Sequence, residues 1–376
     1  MLGGPNGPLA LQKIQREEMV KRIAGLFASS ACAAALIVGT MAHQAAAAGK
    51  KYTVYLSNNF VGNDWRQQME RVAGVSVKKE PLAGRVDLKI ENVENTAQAQ
   101  INSLNNIIRA KPDAILIDAS SAEALNPTIK KACDAGILVI SFDQVVSEPC
   151  AYALESDWNR IPAVLAEWMA GQLGGKGQVF VDRGLAGAPI SAQLEKGYLD
   201  VLKKYPDIKV IGNYNGEYAL GPEQAGVASL LAAHPEVDGI LTQGYGVGAI
   251  KALEDAGRKV VPVTAFSYNT AAVTCVQTQG AACILGSNPA FLSSEAIRMA
   301  VDILDGKPKP SDRHILVYGD FLATNGGEWK SKLYPDATVQ KIEIGKNAFP
   351  DRPPGLTLPI TPDWVDITAE EAAGSS

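Results

Sequence analysis

Two stretches of this chain repeat one another in order. "KPDAILIDAS" (111–120) is echoed by "HPEVDGILTQG" (234–244), and "DAGILVISFD" (134–143) by "DAGRKVVPVTAFS" (255–267), with a helical segment between the members each time. The repeat implies two similar halves. Within the first, Ala114-Ile115-Leu116-Ile117 and Ile137-Leu138-Val139-Ile140 are short continuous apolar runs, the pattern of parallel strands covered on both faces by helices. Tyr52 to Ser57 alternates as a strand does, while Ile101, Leu104, Ile107 and Ile108 share one helical face. The expected fold class is therefore α/β, with two similar doubly wound parallel-sheet lobes. The polar, turn-like "LESDWNRI" (154–161) marks the expected first crossing between them, and "LDGKPKPSDRH" (304–314) has the Gly, Pro and charge content of a later linker. The Pro-rich stretch from Asn347 is expected to be irregular, with its last residues mobile.

Lys21 and Arg22 precede an apolar run from Ile23 to about Met41, and Ala45 to Ala48 follow. Basic, apolar and small-residue regions in that order read as a secretory signal peptide cut after Ala48, with residues 1–18 as an upstream extension. The competing reading is a retained membrane anchor, which the run's Ala, Gly and Ser content disfavours. Cys32 is expected to leave with the signal. Four cysteines then remain in an exported chain, where disulfides persist. Close spacing favours Cys133 with Cys150 and Cys275 with Cys283, with other pairings or four buried thiols left open. Only His234 and His314 remain after cleavage, neither beside a second His or a Cys pair, so neither a metal site nor a Ser-His triad is expected. The 47% hydrophobic content suffices for one large or two ordinary domains, and the formal charge of −5 leaves no electrostatic footprint for nucleic acid.

In open α/β sheets ligands bind beyond the carboxyl ends of the strands, where loops converge and helix N-termini point free N–H groups. Those ends carry Asn58, Asn59, Asn63, Asp64, Trp65 and Arg66; Asn95; Asp118 and Ser120; and Asp143-Gln144. The second half offers Arg183, residues 188–193 with Ser191, Tyr218, Gln243 to Tyr245, Ser267 to Asn269, and Ser287-Asn288. Amides, hydroxyls, a few carboxylates and aromatic rings suit a polyhydroxylated molecule. The Asn residues read equally well as turn and cap residues, and Trp65 as helix packing. Asp143 directly follows a buried strand, where an unpaired carboxylate is expensive without a ligand or cation. "GYGVGA" (244–249) fits a dinucleotide-binding G-x-G-x-x-A, but the next strand ends at Phe266-Ser267 with no acid for a ribose. A glycosidase using Asp118 and Asp143 is disfavoured because both lie in one half. No enzyme activity and no cofactor are expected.

With these features the chain resembles the periplasmic sugar-binding proteins of ABC importers, the ribose-binding-like type I group. The likeness runs from about Tyr52 to Lys309 and is carried by "LSNNFVGNDWRQQM", "AQAQINSLNNIIRAKPDAILIDAS", "AGILVISFD", "GLAGAPISAQLEKGY" and "LLAAHPEVDGILTQGYGVGAIKAL". The resemblance implies two lobes joined by three crossings that close around a sugar and are then recognised by the membrane permease. It implies a first lobe of residues 49–156 and 288–313, a second of 157–287 and 314–346, and a tail of 347–376. Ligand contacts are implied at Asn63, Trp65, Asn95, Asp143 and Tyr218. Ala192, Gly244-Tyr245 and Ala265-Phe266-Ser267 depart from the family pattern, so the second lobe has lost charge and gained aromatic and small residues. The expected ligand is accordingly a sugar or polyol other than ribose. The candidate site is Asn59, Asn63, Asp64, Trp65, Asn95, Asp143, Ser191, Tyr218, Tyr245, Ser267, Asn269 and Asn288. A periplasmic monomer delivering its ligand to an inner-membrane ABC permease is expected, with a sensory role before a chemoreceptor or sensor kinase as the alternative.

Overall fold

The computed structural model describes residues 50–317, 322–326, 329–352 and 355–374; the proposed signal segment and Cys32 lie outside the described residues. The first half runs β1 (Tyr52–Asn58), α1 (Asp64–Ser76), β2 (Val86–Asn92), α2 (Ala97–Ala110), β3 (Ala114–Asp118), α3 (Asn126–Asp134), β4 (Leu138–Phe142) and β5 (Tyr152–Glu155). The second runs α4 (Arg160–Gln172), β6 (Lys176–Asp182), α5 (Pro189–Leu202), β7 (Asp207–Tyr214), α6 (Leu220–Ala233), β8 (Gly239–Leu241), α7 (Val247–Asp255), β9 (Val263–Phe266), α8 (Asn269–Gln277) and β10 (Cys283–Gly286). Then come α9 (Leu292–Leu304), β11 (His314–Leu316), β12 (Leu322–Thr324), β13 (Val339–Lys341) and α10 (Ala369–Ala373).

The strands form two sheets, ordered β11-β5-β4-β3-β1-β2 and β13-β12-β10-β9-β8-β6-β7. The order of β2-β1-β3-β4-β5 recurs as β7-β6-β8-β9-β10. The echoed segments thus supply β3 and β8, and β4 and β9, at matching places. Pairing is parallel except between β10 and β12. Every residue of β3, β8, β9 and β10 is buried, as strands under helices on both faces must be. In each sheet the strand order reverses beside β1 or β6, which places a crevice at the loops following those strands.

The chain passes between sheets after β5, after β10 and after β11. The last crossing lies later than the sequence suggests. His314–Leu316, assigned above to the second lobe, pairs with β5 of the first sheet, and the His314 ring lies 2.6 Å from Glu155 Oε1. Disulfides join Cys133 to Cys150 and Cys275 to Cys283.

Apart from α10 the described residues of the C-terminal segment are irregular, as expected, and they pack on the rest of the protein. Leu356, Leu358, Val365, Ile367, Ala369 and Ala372 share an apolar cluster with Val72 of α1 and Phe291. Thr368 and Glu371 form a reciprocal capping box that starts α10, and Lys79 bonds Glu371 at 2.6 Å. The same segment reaches the second lobe: Leu358 N–H donates to Ser267 O and Asn269 N–H to Leu356 O. It therefore ties both lobes together from one side.

Candidate functional site

Asn63 opens the site. Its backbone is extended and its Oδ1 accepts the Arg66 N–H at 2.9 Å, the bond that starts α1 one residue later. That cap aims Trp65 and Arg66 inward at the first helical turn, and both are buried. Trp65 Nε1–H donates to Asn288 O at 2.6 Å, joining the first lobe to the loop after β10.

Arg66 is flanked by two acids from neighbouring strand ends. Its guanidinium contacts Asp118 and stands 3.6 Å from Asp143 Oδ2, while Nη1 donates to Asn58 Oδ1 at 2.8 Å. The Gln144 amide, oriented with its oxygen toward Arg66, accepts from Nη2 and donates to Ala119 O. Asn288 Nδ2 donates to Asp143 Oδ1 at 2.8 Å. Burial pushes both carboxyl groups above the ordinary carboxylate range; Arg66 opposes the shift at each, and Asn288 at Asp143. One guanidinium against two buried acids leaves excess acceptor capacity. Hydroxyl groups of a neutral ligand are the natural donors to it.

Two cavity residues hold backbones that side-chain-bearing residues avoid: Asp143 has φ +59° and Tyr218 φ +53°. Such conformations cluster at ligand clamps, where neighbouring structure enforces them. Asp143 is fixed by its N–H bond to Leu154 O at 3.0 Å. Tyr218 shares a 2.5 Å hydrogen bond with Ser191 and donates to Gln243 Oε1 at 3.2 Å. A side chain at Gly184 would strike all three of these groups, and its φ of +65° already favours glycine.

The cavity has about 500 Å³ between its walls, counting the mouth. From the first lobe come Phe60, Asn63, Trp65, Arg66, Asp143 and Gln144; Trp158 and Asn288 come from the crossings. The second lobe contributes Leu185, Ile190, Leu194, Tyr218, Gln243, Phe266 and Tyr268. Of the sequence-derived candidates, the structure thus gathers Asn63, Trp65, Asp143, Tyr218 and Asn288.

The others lie around it. Asn59 is buried and bonded to Asn95 Oδ1 at 2.8 Å, behind the first loop. Ser191 backs Tyr218. Tyr245 lies against Tyr268, ring centroids 3.6 Å apart, with its hydroxyl 3.4 Å from the exposed Asp64. Ser267 binds the C-terminal segment through its carbonyl, and Asn269 clasps Phe349 through both amide atoms, at 2.6 and 2.8 Å. Sequence reasoning left Arg66, Gln144 and Trp158 out of the site. Arg66 and Gln144 stood among the strand-end residues without being chosen, and the signal for Arg66 was the pair of acids at adjacent strand ends, which needs a cation.

Trp158 is 2% exposed, packs on Phe266 at 6.1 Å between centroids, and its Nε1–H has no hydrogen-bond partner among the described residues. A buried orphan donor in a cavity wall is a place for a ligand acceptor. The glycine loop 244–249 holds an internal carboxyl group instead. Glu223 accepts N–H groups of Tyr245, Gly246 and Ala249, at 3.0 to 3.3 Å, filling the position a dinucleotide phosphate would take. Among the described residues no group of three or more His, Cys, Asp or Glu is placed to hold a metal ion.

Residues 54–308 match the family described as periplasmic binding protein domain. The xylitol-binding protein of Mycolicibacterium smegmatis is 28% identical over 56% of this chain and 59% of its own length. The ribose import binding protein of Bacillus subtilis is 20% identical over 69% of this chain and 83% of its own. A crystal structure of an ABC transporter solute binding protein from Thermobispora bispora is 29% identical, with a TM-score of 0.64 over 71% of this chain and 83% of that one. The duplicated sheets, the cleft at their switch points and these matches lead to one conclusion: the chain belongs to the periplasmic binding protein family and has its two-lobed, ribose-binding-like type I fold.

Proposed function

We propose that this protein, exported by its N-terminal signal, captures a sugar or polyol between its lobes and delivers it to the permease of an ABC importer. The observation that carries this reading is the inter-lobe cavity, where Asp143, Arg66 and Asn288 present paired donors and acceptors beside the rings of Trp65 and Trp158. Amide and carboxylate groups bind hydroxyl pairs while indole faces cover C–H surfaces. Ligand contacts to both lobes favour the closed arrangement by their differential free energy, and no bond is made or broken. The names of the relatives, which bind xylitol and ribose, support the ligand class.

A thermal-shift screen of the mature protein against pentoses, hexoses, polyols, amino acids and nucleosides tests the reading, because a ligand bound only by the folded state raises the melting temperature. A shift with a sugar or polyol is expected. A shift with an amino acid or nucleoside alone would overturn it.

A further inference from the structure

The two walls of the cavity differ in kind. The first lobe and its crossing present Asn63, Arg66, Asp143, Gln144 and Asn288. Across from them the second lobe presents Leu185, Ile190, Leu194 and Phe266 with Tyr218, Gln243 and Tyr268, and among the described residues no charged side chain of that lobe lines the cavity.

The polar groups of Tyr218, Gln243 and the Ser191 behind them are already engaged with one another and the backbone. Gln243 Nε2 donates to Asp182 O and Ser191 O, both at 3.0 Å, and its Oε1 receives the Tyr218 hydroxyl. Ser191 Oγ is held by Tyr218 and by the Leu185 N–H at 3.0 Å. The buried acids of the lobe point elsewhere: Asp182 accepts N–H groups of Gly184, Gly216 and Gln243, and Glu223 caps α7. A ligand hydroxyl turned toward Leu185, Ile190 or Leu194 would lose water without gaining a partner, whereas a methyl or alkyl group there would gain contact.

We propose that the ligand is two-faced: hydroxyl-rich along the edge that meets Asp143, Arg66 and Asn288, and deoxygenated or alkylated at the end that meets the second lobe. Deoxysugars and alkyl glycosides are the class that fits. This deepens the sugar-binding reading and rests on it.

The test is calorimetric titration of matched pairs, each a 6-deoxyhexose with its parent hexose or a methyl glycoside with its free sugar. In the pair whose stereochemistry fits, the deoxy or methyl member is expected to bind about tenfold tighter or more, the usual discrimination of a hydrophobic pocket. Leu185→Gln, at a partly buried position on the edge of the core, is expected to shrink that ratio by supplying a polar partner. Tighter binding of every parent sugar would overturn this inference and leave the sugar reading standing. Absence of binding by every sugar and polyol would overturn both.

Discussion

The Arg66 guanidinium stands 3.6 Å from the Asp143 carboxylate, with each side chain only 4% exposed. Asp118 touches the same guanidinium and is fully buried. The two acids therefore do different work. Asp118, further from the cavity, balances Arg66; Asp143 lines the cavity. Asp143→Ala leaves the Arg66–Asp118 pair in place and removes a charged acceptor, so ligand affinity is expected to fall by about 2 kcal/mol or more. Arg66→Ala strands two buried carboxylates and is expected to destabilise the fold by about 3–5 kcal/mol. Titration calorimetry and urea denaturation separate the two effects. Equal stability losses in both variants would contradict this division.

Trp158 gives a sharper separation of binding from folding. Trp158→Phe keeps a ring against Phe266 and removes an N–H that has no partner among the described residues. Stability is expected to hold or rise, while affinity falls by about 1 kcal/mol as the ligand loses its donor. Unchanged affinity would mean that the indole only packs.

Glu223 makes stability depend on pH. Burial, with the nearby Asp182 adding to it, raises its acid to about 8, against an unfolded value near 4.3. The folded state binds this proton more tightly, so the associated stability is fully present below about pH 4.3 and is lost as pH rises through about 8. Asp118, Asp143 and Asp182 are raised by burial and act in the same direction. The melting temperature is expected to fall from about pH 5 to about pH 9, and Glu223→Gln is expected to flatten part of that slope. A rise over this range would contradict the account.

The C-terminal segment predicts coupling between the lobes. Gln68 of α1 exchanges two hydrogen bonds with the Thr357 backbone, at 2.6 and 3.0 Å, as Asn269 of α8 does with Phe349. Gln68→Ala or Asn269→Ala is expected to cost about 1–3 kcal/mol and to speed amide hydrogen exchange in residues 349–352 and 355–358. Unaltered exchange there would show that the apolar cluster alone holds the segment.

The parts of this fold that could be read in the sequence are those set by local pattern. Apolar runs gave the buried parallel strands, and the order of the two echoed pairs gave their matching places in the sheets. His314–Leu316 escaped because a three-residue strand with an exposed His carries no periodic signal. The docking of Val365 and Ile367 depends on a groove between α1 and Phe291 that exists only after folding. Asn269 and Asn63 are the same residue type at similar loop-to-helix positions, yet one holds the C-terminal segment and the other lines the cavity. What an amide binds is decided by what the fold brings to it, and one sequence does not encode that locally.

The most direct test of the central claim is a crystal structure of the mature protein with the sugar or polyol selected by the thermal screen. The account predicts the ligand between the lobes, with a hydroxyl within hydrogen-bond distance of Asp143 and carbon atoms facing Trp65 and Leu185. Ligand bound outside this cavity, or within it but without a polar contact to Asp143, Arg66 or Asn288, would contradict it.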